Sequence, residues 1–263
     1  RPDLVDRGGR LLATDVEMPS LYADPSIVRV SDHIPEQLAT IFPDIDRREL
    51  LAALSDRTRR FAWIRRGISP RLAQEVHNLG LPGLGFRTEL RRAYPLERVA
   101  GHVLGAVNVD NRGAAGIERF IDDNLGDGPN NGSRFDAGLP VRLSIDLGVQ
   151  HALGDELRAA MERYQAKGAA GLVMDVHTGE ILAASSLPDI DPARAAELMD
   201  PARRDKIQGG TYEVGSIFKI VTVALGLEGG TVRADTVLDV TKPLSAGRFT
   251  ITAADQDVHL AVE

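Results

Sequence analysis

Apolar and polar positions along the chain change spacing repeatedly, and each spacing predicts an element. Residues 1–20 read as an extended segment, a Gly8-Gly9 turn and a short strand, Leu11-Leu12-Ala13-Thr14. A turn at Tyr22-Ala23-Asp24-Pro25 leads to a strand-like run, Ile27-Val28-Arg29-Val30. Residues 35–42 and 46–57 carry helical spacing, with Leu50, Leu51 and Leu54 on one stripe. Ser69 followed by Pro70 starts another helix, running to about Leu79, because serine caps and proline fits the first turn. Residues 86–90 predict a strand, and residues 96–104 and 116–124 predict helices. The turn-rich residues 126–133 predict a loop or hinge, and the domain boundary is placed near Gly138-Leu139-Pro140.

Beyond that boundary, residues 141–145 predict a strand. A helix follows with Val149, Leu153, Leu157, Met161 and Tyr164 on one face. Residues 171–176 and 180–184 flank His177-Thr178-Gly179 as a hairpin. The polar stretch 187–211 then leads to an apolar helix over 214–228, whose Ile220, Val223 and Leu227 are expected to point at sheet residues of the hairpin. Strand, helix, hairpin and helix without a repeating βαβ unit predict an α+β fold in two parts, 1–138 and 139–263. The 263 residues suffice for two domains.

Composition narrows the function classes. The chain is 43% apolar and 26% charged, as in a globular protein. Its net charge of −7 argues against nucleic acid as the main partner. It has no cysteine, so neither a disulfide framework nor a thiolate metal site can form. No apolar run reaches the ~18 residues of a membrane span. The chain begins without methionine or signal peptide and ends without a closing element, so it reads as an excised piece that an anchor could precede.

The candidate chemistry lies in Ser216-Ile217-Phe218-Lys219. Only Ser216, among the serines, has a lysine three residues later. On a helix that spacing puts both side chains on one face. A serine hydroxyl is a weak nucleophile until a base takes its proton, and a neutral lysine amine can do so. The helix N-terminus favours a developing alkoxide, and burial against Ile217, Phe218 and Ile220 is expected to favour the neutral amine. The Ser216 N–H is a candidate oxyanion donor. The competing reading is an N-cap serine with an ordinary lysine one turn on.

Other constellations read as structural. Arg57, Arg59, Arg60, Arg65, Arg66 and Arg71 surround Trp63, which suggests a solvated face with one packed tryptophan rather than a nucleic-acid surface. His102, His151 and His177 sit on different elements without metal-ligand spacing, so no metal is expected. Gly80, Gly83 and Gly85 lack the strand before and helix after that dinucleotide binding requires, and no cofactor is expected. Asp255, Asp257 and His259 follow Ser216 without a Gly-x-Ser-x-Gly elbow and read as a loop. Asp175 and Glu180 read as turn residues rather than a carboxylate pair.

Together these segments resemble the class B penicillin-binding proteins. Arg1-Pro2-Asp3-Leu4-Val5-Asp6-Arg7-Gly8-Gly9-Arg10-Leu11-Leu12-Ala13 is similar to the first motif of that family's non-catalytic pedestal. Arg92-Ala93-Tyr94-Pro95 with Ala100-Gly101-His102-Val103-Leu104-Gly105 is similar to the second, and Gly116-Ile117-Glu118-Arg119-Phe120 to the third. Arg142-Leu143-Ser144-Ile145-Asp146 and residues 171–183 resemble the start of the transpeptidase domain, and Tyr212 to Lys219 its nucleophile motif. Phe61-Ala62-Trp63-Ile64-Arg65-Arg66 looks most like the division-specific septal type. Isoleucine at 217 replaces the commoner threonine, and Lys206 and Gln208 also depart from the usual pattern.

The resemblance implies an elongated pedestal over 1–138 and the first part of a serine β-lactamase-like transpeptidase domain over 139–263. It implies that Ser216 and Lys219 are catalytic in a D-Ala-D-Ala transpeptidase that cross-links stem peptides in septal wall synthesis. β-Lactams would acylate the same serine, and cell-division or elongation membrane proteins would bind the pedestal. The implied location is the periplasmic face of the inner membrane, with an N-terminal anchor outside this sequence. The Ser-x-Asn and Lys-Thr/Ser-Gly motifs are absent, so this piece alone is expected to be inactive. A β-lactamase or β-lactam sensor shares the Ser-x-x-Lys helix, and a non-catalytic scaffold is the third reading; a pedestal of this size favours the transpeptidase.

Overall fold

Long-range pairing, more than local propensity, sets the first part of the fold. The computed structural model describes residues 1–28, 33–124, 139–238, 243–251 and 260–261. They fall into two compact units, Arg1–Gly210 and Thr211–Glu263. Strand β1 (Leu4–Val5) turns back at Gly8-Gly9 into β2 (Leu11–Ala23), with Gly9 at φ 86°. The expected strand at 11–14 continues through Asp15, Glu17 and Pro19. The reason is its partner: α1 (Ile34–Ile41), α2 (Arg47–Ser55), β3 (Ala62–Arg65) and α3 (Pro70–Asn78) precede β4 (Leu84–Ala93), which pairs with β2 from Thr14 opposite Ala93 to Ala23 opposite Leu84. Helix α3 starts as expected, with the Ser69 hydroxyl accepting the Leu72 N–H at 3.3 Å.

Each end of β2 serves a different core. Leu21 and Ala23 join Val28, Ile34, Leu38, Phe42, Leu50, Leu54, Ile68 and Val76 under α1, α2 and α3. Leu12 and Ala13 join Leu4, Tyr94, Ala100, Leu104, Ile121 and Leu147 in a second cluster. The second is built around α4 (Gly101–Leu104), β5 (Ala106–Val107), β6 (Gly113–Ala115) and α5 (Gly116–Asn124). The helix expected over 96–104 shrinks to α4, because Glu97 and Ala100 adopt left-handed φ of 52° and 57°. Gly105, at φ 76°, lets the backbone pass so close to β6 that a Cβ there would lie 1.9 Å from the Ala115 carbonyl oxygen.

Residues 139–210 pack into this same compact unit. Strand β7 (Val141–Arg142) pairs parallel with β1, and Val141, Leu143 and Leu147 pack into the second core. Helix α6 (Leu147–Tyr164) is capped by Asp146, whose carboxylate accepts Gly148 N–H at 2.8 Å and Val149 N–H at 3.3 Å. Val149, Leu153, Leu157 and Met161 are half-buried on the expected face, whereas Tyr164 is 71% exposed at the last turn. The expected hairpin forms from β8 (Ala169–Met174) and β9 (Ile181–Leu187). Buried Gln150 closes the outer side of β9: its amide donates to the Ala184 carbonyl at 3.0 Å, and its carbonyl accepts the Ala184 N–H at 2.9 Å. Short 3-10 turns at Ala195–Met199 and Pro201–Arg203 follow.

The second unit carries a 3-10 turn, Gly215–Phe218, running into α7 (Lys219–Glu228). Strand β10 (Val237–Leu238) pairs with β13 (Leu260–Ala261), and β11 (Leu244–Ala246) with β12 (Phe249–Ile251). Ile220, Val223 and Leu227 are exposed, so the burial expected for them is not found. Residues 126–133, Arg29, Val30, Asp255, Asp257 and His259 lie outside the described residues. Among the described residues no helix is long and apolar enough to cross a membrane.

Candidate active site

Ser216 and Lys219 sit at a change of helix type. Gly215 takes φ 56°, a left-handed conformation that strains any residue with a Cβ, and so turns the chain into the 3-10 turn. The Lys219 N–H reaches back to the Ser216 and Ile217 carbonyls. In a 3-10 turn, residues three apart eclipse one another, so the serine and lysine leave the backbone on the same side. Both are exposed, and no hydrogen bond joins their side chains among the described residues. The expected apolar shelter is missing: Ile217, Phe218 and Ile220 are 68%, 58% and 70% exposed. What the sequence spacing brings together is therefore the shared side of the turn, without burial of the amine.

A second site was not read from the sequence as a site at all. The three segments compared with pedestal motifs each contribute a charge, and the fold gathers them. The fully buried Glu118 carboxylate accepts Arg92 Nε at 2.7 Å and Arg1 Nε at 3.1 Å. Arg92 also donates to Asp15 at 3.0 Å and to the Pro2 carbonyl at 2.9 Å. Arg1 reaches the Glu118 carbonyl at 2.7 Å and the Asp122 carboxylate. Burial opposes the Arg92 charge, but Glu118 and Asp15 together outweigh it and raise the guanidinium pKa. Burial, followed by the Glu118 charge, drives the Tyr94 phenol well above its usual range, so it stays neutral.

Asp6, from the first of those segments, performs a related task. It is fully buried, and its carboxylate accepts Gly8 N–H at 2.9 Å, Arg10 N–H at 2.8 Å and Arg10 Nε at 2.7 Å. It also accepts the Leu147 N–H at 3.4 Å, at the start of α6. Burial pushes its pKa up, and the bonds from Arg10 and Leu147 overcome that and leave it lowered.

The remaining candidates take structural places. Trp63 meets Phe61 edge-on at 4.7 Å with Arg66 over its ring at 5.1 Å, and Arg66 pairs with Glu89 and Asp110. Asp175 caps its own turn through the His177 and Thr178 N–H groups. Gly80 and Gly83 connect α3 to β4, which contains Gly85, and helix before strand is the reverse of a dinucleotide-binding turn. Among the described residues, no cluster of three or more His, Asp or Glu could hold a metal.

Two family models match the chain. One describes the penicillin-binding protein dimerisation domain and covers residues 1–128. The other describes the penicillin-binding protein transpeptidase domain and covers residues 169–259, Ser216 and Lys219 included. The chain belongs to the class B penicillin-binding proteins. It is 40% identical over 251 residues to the probable peptidoglycan D,D-transpeptidase FtsI of Caulobacter vibrioides, covering 95% of this chain and 41% of that protein. It is 30% identical over 258 residues to the peptidoglycan D,D-transpeptidase FtsI of Escherichia coli K12, covering 90% of this chain and 44% of that protein. The chain thus spans less than half the length of these relatives. Penicillin-binding protein PBP2, solved in complex with MreC from Helicobacter pylori, shares the fold at a TM-score of 0.67 and 18% identity, over 100% of this chain and 58% of that one.

Proposed function

We propose that the whole protein is a peptidoglycan D,D-transpeptidase of septal wall synthesis, with Ser216 as nucleophile and Lys219 as its base. The observation that carries this reading is the Ser216–Lys219 pair at a helix start, inside the segment matched by the transpeptidase family model. Ser216 Oγ attacks the penultimate D-Ala carbonyl of a stem peptide while Lys219 Nζ takes the hydroxyl proton. The Ser216 N–H faces the oxyanion, terminal D-Ala departs with the returned proton, and the amine of a second stem peptide releases the acyl group. A β-lactam ring opens on the same oxygen. The functional boundary stays near Gly138-Leu139-Pro140, with a pedestal before it and transpeptidase residues after it. The protein works at the periplasmic face of the inner membrane, and its pedestal binds cell-division or elongation membrane proteins. Support for those assignments comes from the FtsI relatives and the dimerisation-domain match.

The test is labelling of the whole protein with fluorescent penicillin, followed by mass mapping. Ser216→Ala should take no label. Lys219→Ala should label at least about two orders of magnitude more slowly, since the serine keeps its proton. Labelling of Lys219→Ala at wild-type speed would refute the role given to Lys219.

A further inference from the structure

Strand β4 is paired on one side only. Among the described residues it bonds to β2 from Leu84 to Ala93, and no strand or loop backbone takes its other edge. Its register carries no bulge, a common means of spoiling such an edge. The direction of its backbone groups follows from Pro19. In an antiparallel ladder, two opposite residues either exchange hydrogen bonds or both turn away. Pro19, opposite Thr88, has no N–H, and its carbonyl accepts the Ile68 N–H at 2.8 Å. Ile68 follows β3, which lies on the far side of β2 from β4. At the other end of the ladder the Asp24 N–H donates to the Gly83 carbonyl at 2.8 Å, which fixes the same alternation. Thr88, and with it Phe86 and Leu90, therefore directs its N–H and C=O to the free edge.

The side chains along that edge complement themselves. Phe86-Arg87-Thr88-Glu89-Leu90 reads apolar, positive, hydroxyl, negative, apolar. A second copy laid antiparallel about a two-fold axis at Thr88 puts Thr88 opposite Thr88, Arg87 opposite Glu89 and Phe86 opposite Leu90. All three are favourable cross-strand pairs, and every outward backbone group of Phe86, Thr88 and Leu90 meets its complement. An axis at Arg87 or Glu89 keeps the backbone bonds but sets like charges face to face. The surface fits this pairing. Leu90 is 54% exposed, although Phe86 on the same face of β4 packs against the first core. Arg87 is exposed and has no ion pair among the described residues. Arg66 holds Glu89 by both oxygens at 2.7 and 3.0 Å, and a carboxylate has room for a further donor.

We propose that two copies of this chain associate through β4, antiparallel and centred on Thr88, so that their β2–β4 sheets become one. Such a contact uses the same patch on both copies and closes at two. Pairing of Phe86–Leu90 alone is far smaller than the roughly 20–30 residues a side of a standard interface, so the dimer is reversible.

The chain has no cysteine, so one introduced thiol reports one register. In Thr88→Cys the two thiols face each other with Cα atoms about 5.5 Å apart, within disulfide range. In Arg87→Cys they lie diagonally, roughly 7–8 Å apart, beyond that range. Mild oxidation of the 263-residue chain should cross-link Thr88→Cys at least about tenfold faster than Arg87→Cys. Sedimentation velocity at rising concentration should show a monomer–dimer equilibrium for wild type. Arg87→Glu should weaken it at least about tenfold, because it faces Glu89 of the second copy. The melting temperature of Arg87→Glu should stay at the wild-type value, since Arg87 is exposed. A wild type that is monomeric at every concentration overturns the proposal and leaves the edge to a strand of another protein. A dimer indifferent to Arg87→Glu, or equal cross-linking of the two cysteine variants, overturns it as well.

Discussion

Arg92 and Glu118 lie fully buried in the larger unit, while Phe218 and Ile220 stand 58% and 70% exposed in the smaller one. Both reverse the usual distribution of charge outside and apolar groups inside. The difference lies in partners. Each buried charge of the first unit has an opposite charge within hydrogen-bond reach. The apolar residues of α7 have few neighbours within their own unit to cover them. A charged residue can therefore be structural and an apolar one can be surface, and only the partner decides which.

The largest expected effect comes from breaking the buried pair. Glu118→Gln leaves Arg1 and Arg92 short of their shared carboxylate, and such losses cost about 3–5 kcal/mol. Urea unfolding of the chain would measure it, and a cost under about 1 kcal/mol would mean that the pair behaves like a surface bridge.

Acid should act on the first unit next. Asp6 and Glu197 both have folded pKa values below their ordinary ones, Glu197 at about 2 against 4.5. Groups lowered in this way stabilise fully above the ordinary value, and that stability is lost as pH falls through the folded value. The urea midpoint should therefore decline from about pH 4.5 down to pH 2. Asp6→Asn should flatten that slope and cost about 1–3 kcal/mol at neutral pH, since Leu147 and Arg10 lose a charged acceptor. A slope identical to wild type would show that Asp6 does not titrate with folding.

The smallest effect should come from the second unit. Ile220→Ser on this chain should shift stability by no more than about 0.5 kcal/mol, as at other exposed sites. A cost near 2 kcal/mol would mean that α7 is covered in solution, and the comparison would fail there.

Local signals were readable where a few neighbouring residues decide the outcome. Ser69 and Pro70 place the start of α3, and the alternation around His177-Thr178-Gly179 places β8 and β9. The turn into Ser216 was readable from Gly215 and the apolar run after it, though not its 3-10 form. Distant partners hid the rest. The alternation Asp15-Val16-Glu17-Met18 favours strand and Pro19 opposes it, and pairing with β4 carries the strand through to Ala23. The left-handed turns at Glu97 and Ala100 cut short a helix that spacing alone supports. Arg92 and Glu118 are 26 positions apart, and no periodicity links them.

Gln150 works as a key cut for one lock. Its carboxamide offers one donor and one acceptor in the order that Ala184 presents its own, while the Asp146 N–H takes the Leu182 carbonyl at 2.8 Å and the Ser144 hydroxyl takes that of Ile181 at 2.7 Å. If β9 slid by one residue, the side chain at each position would point to the opposite face and all three teeth would miss. Gln150 of α6 and the residues leading into that helix therefore oppose a one-residue slip of β9.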